Sequence, residues 1–193
     1  MIYSATKPII DGWMSDEELN WLYEQAQLHD TIVEVGSWCG KSTHALLSGC
    51  KGVVYAVDTW KGSASQIGDV HARALTDDIY VEFMGNCGFF TNLIPLRMDS
   101  LEAASHFADN SIDMVFIDAD HEIRMCKRDI EAWSPKCKFL CGHDKNEGGV
   151  AGALHDMGIS ILSGPGTIWI ADRQGIIPAY ATGPNELVAQ SGG

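Results

Sequence analysis

Two short clusters in the 193-residue chain hold side chains able to do chemistry. The first lies in "IVEVGSWCGKST", where Glu34, Gly36 and Gly40 are followed by Lys41, Ser42 and Thr43. Paired glycines at a strand-to-helix turn let the chain bend sharply and bring bare backbone against a bound molecule. The second cluster spans "IDADH" and "GHDK": Asp118, Asp120 and His121, then His143, Asp144 and Lys145. Carboxylates that project from two strand ends into one cleft can hold a divalent cation, which lowers the pKa of an oxygen bound to it. A histidine beside them suits proton transfer, because its unperturbed pKa is about 6.5.

Three kinds of ligand compete for the glycine turn. A P-loop places four residues between its first Gly and Gly-Lys-Ser/Thr. Only three separate Gly36 from Gly40, so a phosphate cradle would be one residue short. A dinucleotide turn reads Gly-x-Gly-x-x-Gly so that a pyrophosphate can approach a helix N-terminus. Position 38 is Trp, and its indole would obstruct that approach. The remaining pattern, Glu34-x-Gly36-x-x-x-Gly40, is followed by Asp58 at the end of "VVYAVDTW". A carboxylate there can accept both hydroxyl hydrogens of a ribose. Its other use is to cap its own turn.

Short apolar runs must position these clusters. "TIVEV", "GVVYAVD", "LIPLRM", "SIDMVFID" and "CKFLC" alternate with helical patterns in "KSTHALLS", "DVHARALTDDIYVEFMGN", "SLEAASHFA" and "EIRMCKRDIEAW". That alternation predicts a parallel sheet covered on both faces. An earlier helix starts at Ser15 with Glu18 three residues on, a capping box. Near the end, "GISILSG" and "GTIWIADR" are separated by Gly164, Pro165 and Gly166, too few residues for a crossover helix. They predict an antiparallel hairpin. In such a sheet ligands lie beyond the carboxyl ends of the strands, where both clusters fall.

The length fits one domain over residues 1–193: an N-terminal helical segment at 1–29, a core at 30–172 and a tail at 173–193. A net charge of −13 and pI of about 4.7 oppose a nucleic-acid partner. No signal-peptide pattern and no apolar run long enough for a bilayer is present, so neither secretion nor a membrane partner is expected. Six cysteines without a CxxC pair argue against a zinc ribbon or disulfide framework, and imply a reduced, cytoplasmic protein. Trp133 and Trp169 read as core. The Gly- and Ser-rich stretch 59–70 is a candidate lid, Trp13 could lie over the mouth of a site, and no segment predicts an oligomeric state.

The ordered set "EVGSWCGKST", "VDTW", "MDSLEAA", "IDADH" and "GHD" resembles a small bacterial family of class I S-adenosylmethionine-dependent methyltransferases, over nearly all of residues 10–172. The resemblance implies an α/β, Rossmann-like three-layer sandwich. Its sheet would have seven strands, mostly parallel, in the order 3-2-1-4-5-7-6 with strand 7 antiparallel. It implies cofactor contacts from Glu34, Gly36, Ser37, Trp38, Gly40 and Ser42 on the first turn, with Asp58 on the ribose and Thr59 and Trp60 beside it. Asp99 and Ser100 would face the adenine, and Asp118 the cofactor from the fourth strand. The pattern is also similar to metal-dependent O-methyltransferases acting on catechols and antibiotic sugars. That likeness implies Asp118 and Asp144 as ligands of Mg²⁺ or Mn²⁺ and His121 as general base. His143 and Lys145 differ from the residues of those enzymes. A nitrogen ligand from His143 would favour the softer Mn²⁺, and Lys145 could polarise the acceptor. The expected activity is O-methylation of a small-molecule acceptor, a sugar or a phenol. Metal-free transfer, a cofactor-binding module without catalysis and a nucleotide hydrolase on a shortened P-loop are the alternatives.

Overall fold

In the computed structural model the structure describes residues 2–62 and 71–172. Most of the 59–70 stretch, and the tail from 173, therefore lie outside the described residues. Helix α1 (Asp16–Ala26) precedes β1 (Thr31–Val35), α2 (Lys41–Gly49), β2 (Val53–Asp58), α3 (Ile79–Cys87) and β3 (Leu93–Arg97). Next come α4 (Ser100–Ser105), β4 (Ile112–Ile117), α5 (Ile123–Trp133), β5 (Cys137–Gly142) and α6 (Gly148–Asp156), then the short strands β6 (Ile161–Ser163) and β7 (Trp169–Ala171).

The seven strands form one sheet in the order β3-β2-β1-β4-β5-β7-β6. The first five pair in parallel, and β7 runs antiparallel to both β5 and β6. The sheet and the hairpin expected from the sequence are both present. Strand order reverses between β1 and β4, which opens a crevice at their carboxyl ends.

Alternation along each strand sends successive side chains to opposite faces. Ile32, Met114 and Phe139 meet Leu19, Leu22, Leu46 and Phe83 from α1, α2 and α3. On the other face Val33, Val115 and Leu140 meet Ala103, Ile130, Trp133 and Leu154 from α4, α5 and α6, with Trp169. Burying each large side chain contributes about 1.5–3 kcal/mol, so two apolar layers clamp the central strands and fix where their ends point. All six thiols are free and buried, Cys137 and Cys141 within β5. No helix of the described residues is long and apolar enough to cross a membrane.

Candidate active site

A cavity of about 530 Å³ opens at the carboxyl ends of β1, β2, β4 and β5, within the ~300–1,000 Å³ usual for small-molecule sites. Of the sequence candidates, Gly36, Ser37, Trp38, Ser42, Asp58, Thr59, Asp99, Ser100, Asp118, His121, His143 and Asp144 line it. Glu34, Gly40, Trp60 and Lys145 do not.

The first turn shows why. Gly36 has φ of +89°, and a Cβ there would lie 2.0 Å from the carbonyl oxygen of Asp118. Only glycine lets the end of β1 come so close to the end of β4. Glu34 lies beneath the turn, fully buried, accepting hydrogen bonds from Ser37 Oγ at 2.8 Å and from Thr43 Oγ1. Burial pushes its carboxyl up to about 7, against the opposing hydrogen bonds from Ser42, Thr43 and Ser37. Asp58 Oδ2 accepts from the backbone N–H of Ser37 and of Trp38, both at 2.9 Å, and Oδ1 from Trp60 N–H at 2.7 Å. The capping use of Asp58 is therefore present; Oδ2 spends both its lone pairs on it, and Oδ1 keeps one for a ligand. Trp38 and Trp60 sit at φ of +45° and +54°, an uncommon conformation for such residues that this carboxylate secures. Trp60 is 2% exposed and donates from its indole to Trp38 O at 2.8 Å, so it acts from inside the loop. Lys41 donates to Gly12 O at 2.6 Å and tethers the N-terminal segment, directing its ammonium away from where a P-loop would need it.

At the other end of the cavity, carboxylates meet histidines. His121 Nε2 lies 2.9 Å from Asp144 Oδ2. The same oxygen is 3.1 Å from His143 Nδ1, which also faces Asp118 Oδ1 at 3.6 Å. The Asp144 hydrogen bond holds the His121 imidazole above its ordinary pKa, despite burial. Burial opposes charge on His143, yet Asp118 and Asp144 outweigh it and push its pKa up to about 11. Asp144, with φ of +61°, is held well below the usual carboxylate range by His121 and His143, against its burial. Lys145, by contrast, donates to Gly164 O and Ile168 O at 3.3 and 3.1 Å, bracing the hairpin.

Glu18, which the sequence offers only as a helix cap, closes this network from below. Its Oε2 accepts from Ser15 N–H and Ser15 Oγ, completing the capping box. Its Oε1 accepts from Thr167 N–H at 2.8 Å and lies 3.1 Å from His143 Nε2. Burial would raise the Glu18 pKa, but the hydrogen bonds from Thr167 and Ser15 and the charge of His143 hold it down at about 2. One carboxylate thus joins α1, the end of β5 and the β6–β7 connection. Trp13 and Met14 of the N-terminal segment also line the cavity, as do Met98, Met125, Arg128, Asp129 and Glu147. The readable signal for Asp129 is a carboxylate on the buried stripe of α5, beside Cys126, Ile130 and Trp133.

Asp118, His143 and Asp144 offer one ligand atom each within 4.8 Å of one another. Two oxygens and one nitrogen suit a divalent first-row metal such as Mn²⁺ better than Mg²⁺. Glu18 on Nε2 is the outer carboxylate that commonly orients a metal-bound histidine, leaving Nδ1 toward the ion. These residues fit a cation, provided His143 gives up the Nδ1 proton.

The fold agrees with comparisons to known proteins. Residues 33–141 match the profile of a family described as Methyltransferase domain. An uncharacterized protein of Sinorhizobium fredii is 31% identical over 114 residues, 54% of this chain and 12% of that one, so the chain spans a small part of that relative. The O-methyltransferase from Bacillus cereus, solved in complex with S-adenosylhomocysteine, has a similar fold: TM-score 0.58 and 19% identity over 88% of this chain and 86% of that one. The O-methyltransferase NovP gives a TM-score of 0.60 at 12% identity, covering 82% and 80%. A methyltransferase of Podospora anserina, bound to S-adenosylhomocysteine, gives 0.59 at 12%, covering 82% and 79%. With more than half of its length inside the family profile and its sheet in the order β3-β2-β1-β4-β5-β7-β6, the chain belongs to the class I methyltransferase-domain family.

Proposed function

We propose that this protein transfers the methyl group of S-adenosylmethionine to a hydroxyl oxygen of a small molecule. The observation that carries the reading is the His121–Asp144 pair, 2.9 Å apart, lining the same cavity as the Gly36 turn. The cavity's charge agrees with the cofactor. Asp58, Asp99, Asp118, Asp120, Asp129, Asp144 and Glu147 face it against one arginine, Arg128. That lining favours a sulfonium and opposes the phosphates of ATP or NAD.

In this reading the Gly36 turn and Asp58 hold the nucleoside, and Asp58 shapes the turn while the remaining lone pair of its Oδ1 meets a ribose hydroxyl. His121, oriented by Asp144, takes the proton from the acceptor hydroxyl as its oxygen becomes nucleophilic. A divalent cation on Asp118, His143 Nδ1 and Asp144 would lower the pKa of that hydroxyl. Trp13 and Met14 line the cavity with its carboxylates, and no lysine does among the described residues, which favours an uncharged acceptor such as a sugar or phenol. One observation favours a metal-free variant: the His143 imidazolium, held between Glu18 and the two aspartates, already supplies a cation there.

The test is calorimetric binding of S-adenosylhomocysteine, with ATP and NAD as comparison ligands. Binding of S-adenosylhomocysteine alone is expected; preference for ATP or NAD would sink the reading. Methyl transfer to hydroxylated acceptors with and without chelator then separates the two variants, since metal-assisted transfer collapses on chelation and metal-free transfer survives it.

A further inference from the structure

Lys41 is the first residue of α2, where the positive end of the helix dipole disfavours a cation. Burial, and then the charge of Lys7, also disfavour its ammonium and lower its pKa; Asp11, Asp16 and Glu18 offset part of that cost. A cation kept there against both effects has to be held, and the holder is the carbonyl oxygen of Gly12, 2.6 Å from Nζ. Gly12 sits at φ of +147°, and a Cβ there would lie 3.1 Å from Lys41 Cδ and 3.2 Å from its Cβ. Glycine therefore lets the lysine stem lie flat along the N-terminal segment while its tip bonds the backbone.

That segment is anchored at both ends. Ile10 and Met14, 7% and 5% exposed, are buried in the core layer that α1, α2 and α3 share. Between them, Asp11 Oδ2 accepts from Arg73 Nη1 at 2.8 Å, and Arg73 Nη2 donates to Glu82 Oε2 of α3 at 2.5 Å. Beyond Met14, Ser15 bonds the Glu18 carboxylate, which lies 3.1 Å from His143 Nε2. The stretch from Gly12 to Ser15 therefore runs from the start of α2 to the end of β5, across the carboxyl edge of β1 and β4. Trp13 sits midway. Its ring centroid lies 6.2 Å from that of Trp38 on the glycine turn, and both residues line the cavity. Trp13 is nevertheless 59% exposed, whereas Met14 beside it is buried. A residue that lines the cavity and is also open to solvent lies at its rim. Pinned backbone on either side of an open indole is the arrangement that covers a ligand with apolar area at little cost in side-chain freedom.

We propose that Lys41 is a positioning residue that, through Gly12, holds Trp13 as a roof over the bound cofactor and so slows the cofactor's escape. The indole of Trp13 makes the contact; Lys41 acts through the segment rather than on the ligand. The proposal rests on the cofactor reading given above and adds to it the residues that retain the cofactor.

The experiment measures the release of radiolabelled S-adenosylhomocysteine from the full chain, chased with unlabelled compound. Lys41→Met keeps the stem against Gly12 and removes the ammonium, and should release the compound about fivefold to twentyfold faster. Its association rate should stay within about threefold, because the loss falls on residence. Trp13→Ala should speed release by a similar factor. Since Lys41 acts only through Trp13, the double variant should release no faster than about twice the rate of the quicker single one. A merely structural Lys41 would loosen the fold independently of Trp13, and the two factors would then multiply. Multiplication would overturn the proposal, as would release from Lys41→Met at the unaltered rate. Trp13→Ala changes an exposed ring and leaves the buried layers intact, so unchanged release from that variant alone would also overturn it. Failure of the unaltered protein to bind S-adenosylhomocysteine would instead remove the cofactor reading itself.

Discussion

The two ends of β1–β2 and β4–β5 carry the same kinds of acid but use them differently. At the glycine turn, Glu34 and Asp58 accept hydrogen bonds from the turn's own hydroxyls and backbone. At the β4–β5 end, Asp118 and Asp144 meet the imidazoles of His121 and His143, which can gain and lose protons. A carboxylate that bonds backbone holds a shape; a carboxylate that bonds imidazole sets a protonation state and an orientation. Residue type alone does not separate these uses. The identity of the hydrogen's owner does.

The largest test of that contrast is Asp144→Ala. It removes the partner of both histidines at once, so methyl transfer should fall by about 10²–10⁴, the usual scale of a general base and its support. S-adenosylhomocysteine affinity, measured by calorimetry, should change by less than about tenfold. A large loss of affinity with turnover retained would mean that this end binds cofactor and does no chemistry. Asp58→Ala should give the opposite pattern. Three backbone N–H groups lose their acceptor, each costing up to about 1–3 kcal/mol where water does not replace it. Affinity for S-adenosylhomocysteine should fall by about tenfold or more and the unfolding midpoint should drop. If affinity and midpoint both hold, the turn does not depend on its carboxylate.

Glu18 belongs to both categories, since it caps α1 and also faces His143, and its pH dependence shows the two parts. Its pKa is held at about 2 in the folded chain, so its contribution is present above about 4.5 and is lost as pH falls from there through 2. His143, raised to about 11, contributes fully below about 6.5 and loses that contribution as pH rises through 11. Denaturant unfolding across pH should therefore give a dome of stability. In Glu18→Gln the acid limb should flatten and the maximum drop by about 2 kcal/mol. An unchanged acid limb would show that the Ser15, Thr167 and His143 atoms around this carboxylate do not act on it in solution.

Much of this was legible in advance, and the rest was hidden for a physical reason. The parallel sheet and its closing hairpin follow from the alternation of apolar runs and from the short Gly164–Gly166 link, whereas the strand order was implied only by the family resemblance. His121 and Asp144 were readable because strand ends in such a sheet converge. Nothing local reveals that Glu18 faces His143, 125 residues away. Its neighbour in sequence, Ser15, supplies only two of the five atoms around its carboxylate, and Thr167 and His143 supply the rest. Lys145 shows the converse: it follows Asp144 directly, yet the β6–β7 connection turns its ammonium onto carbonyl oxygens. Asp129 left a trace, a carboxylate on the apolar stripe of α5, but its place on the cavity wall is known only once the neighbouring elements are placed.

The smallest effect concerns Glu34, the acid most deeply committed to shape. Its folded pKa is raised to about 7 by burial, so the folded chain holds a proton there that an unfolded chain has released. Its share of stability is complete below about 4.5 and is lost as pH rises from there through 7, the reverse of the Glu18 slope. In Glu34→Gln this descending slope should disappear, and a neutral amide can still accept from Ser37 or Thr43. The variant should differ from the unaltered chain by about 1–2 kcal/mol across that window, with S-adenosylhomocysteine affinity within about threefold at pH 6. Urea midpoints taken every half pH unit would show it. A slope that survives the substitution belongs to another buried acid. Asp129, raised to about 6 by burial, is the first to substitute next, because among the described residues it is the other carboxylate that burial raises.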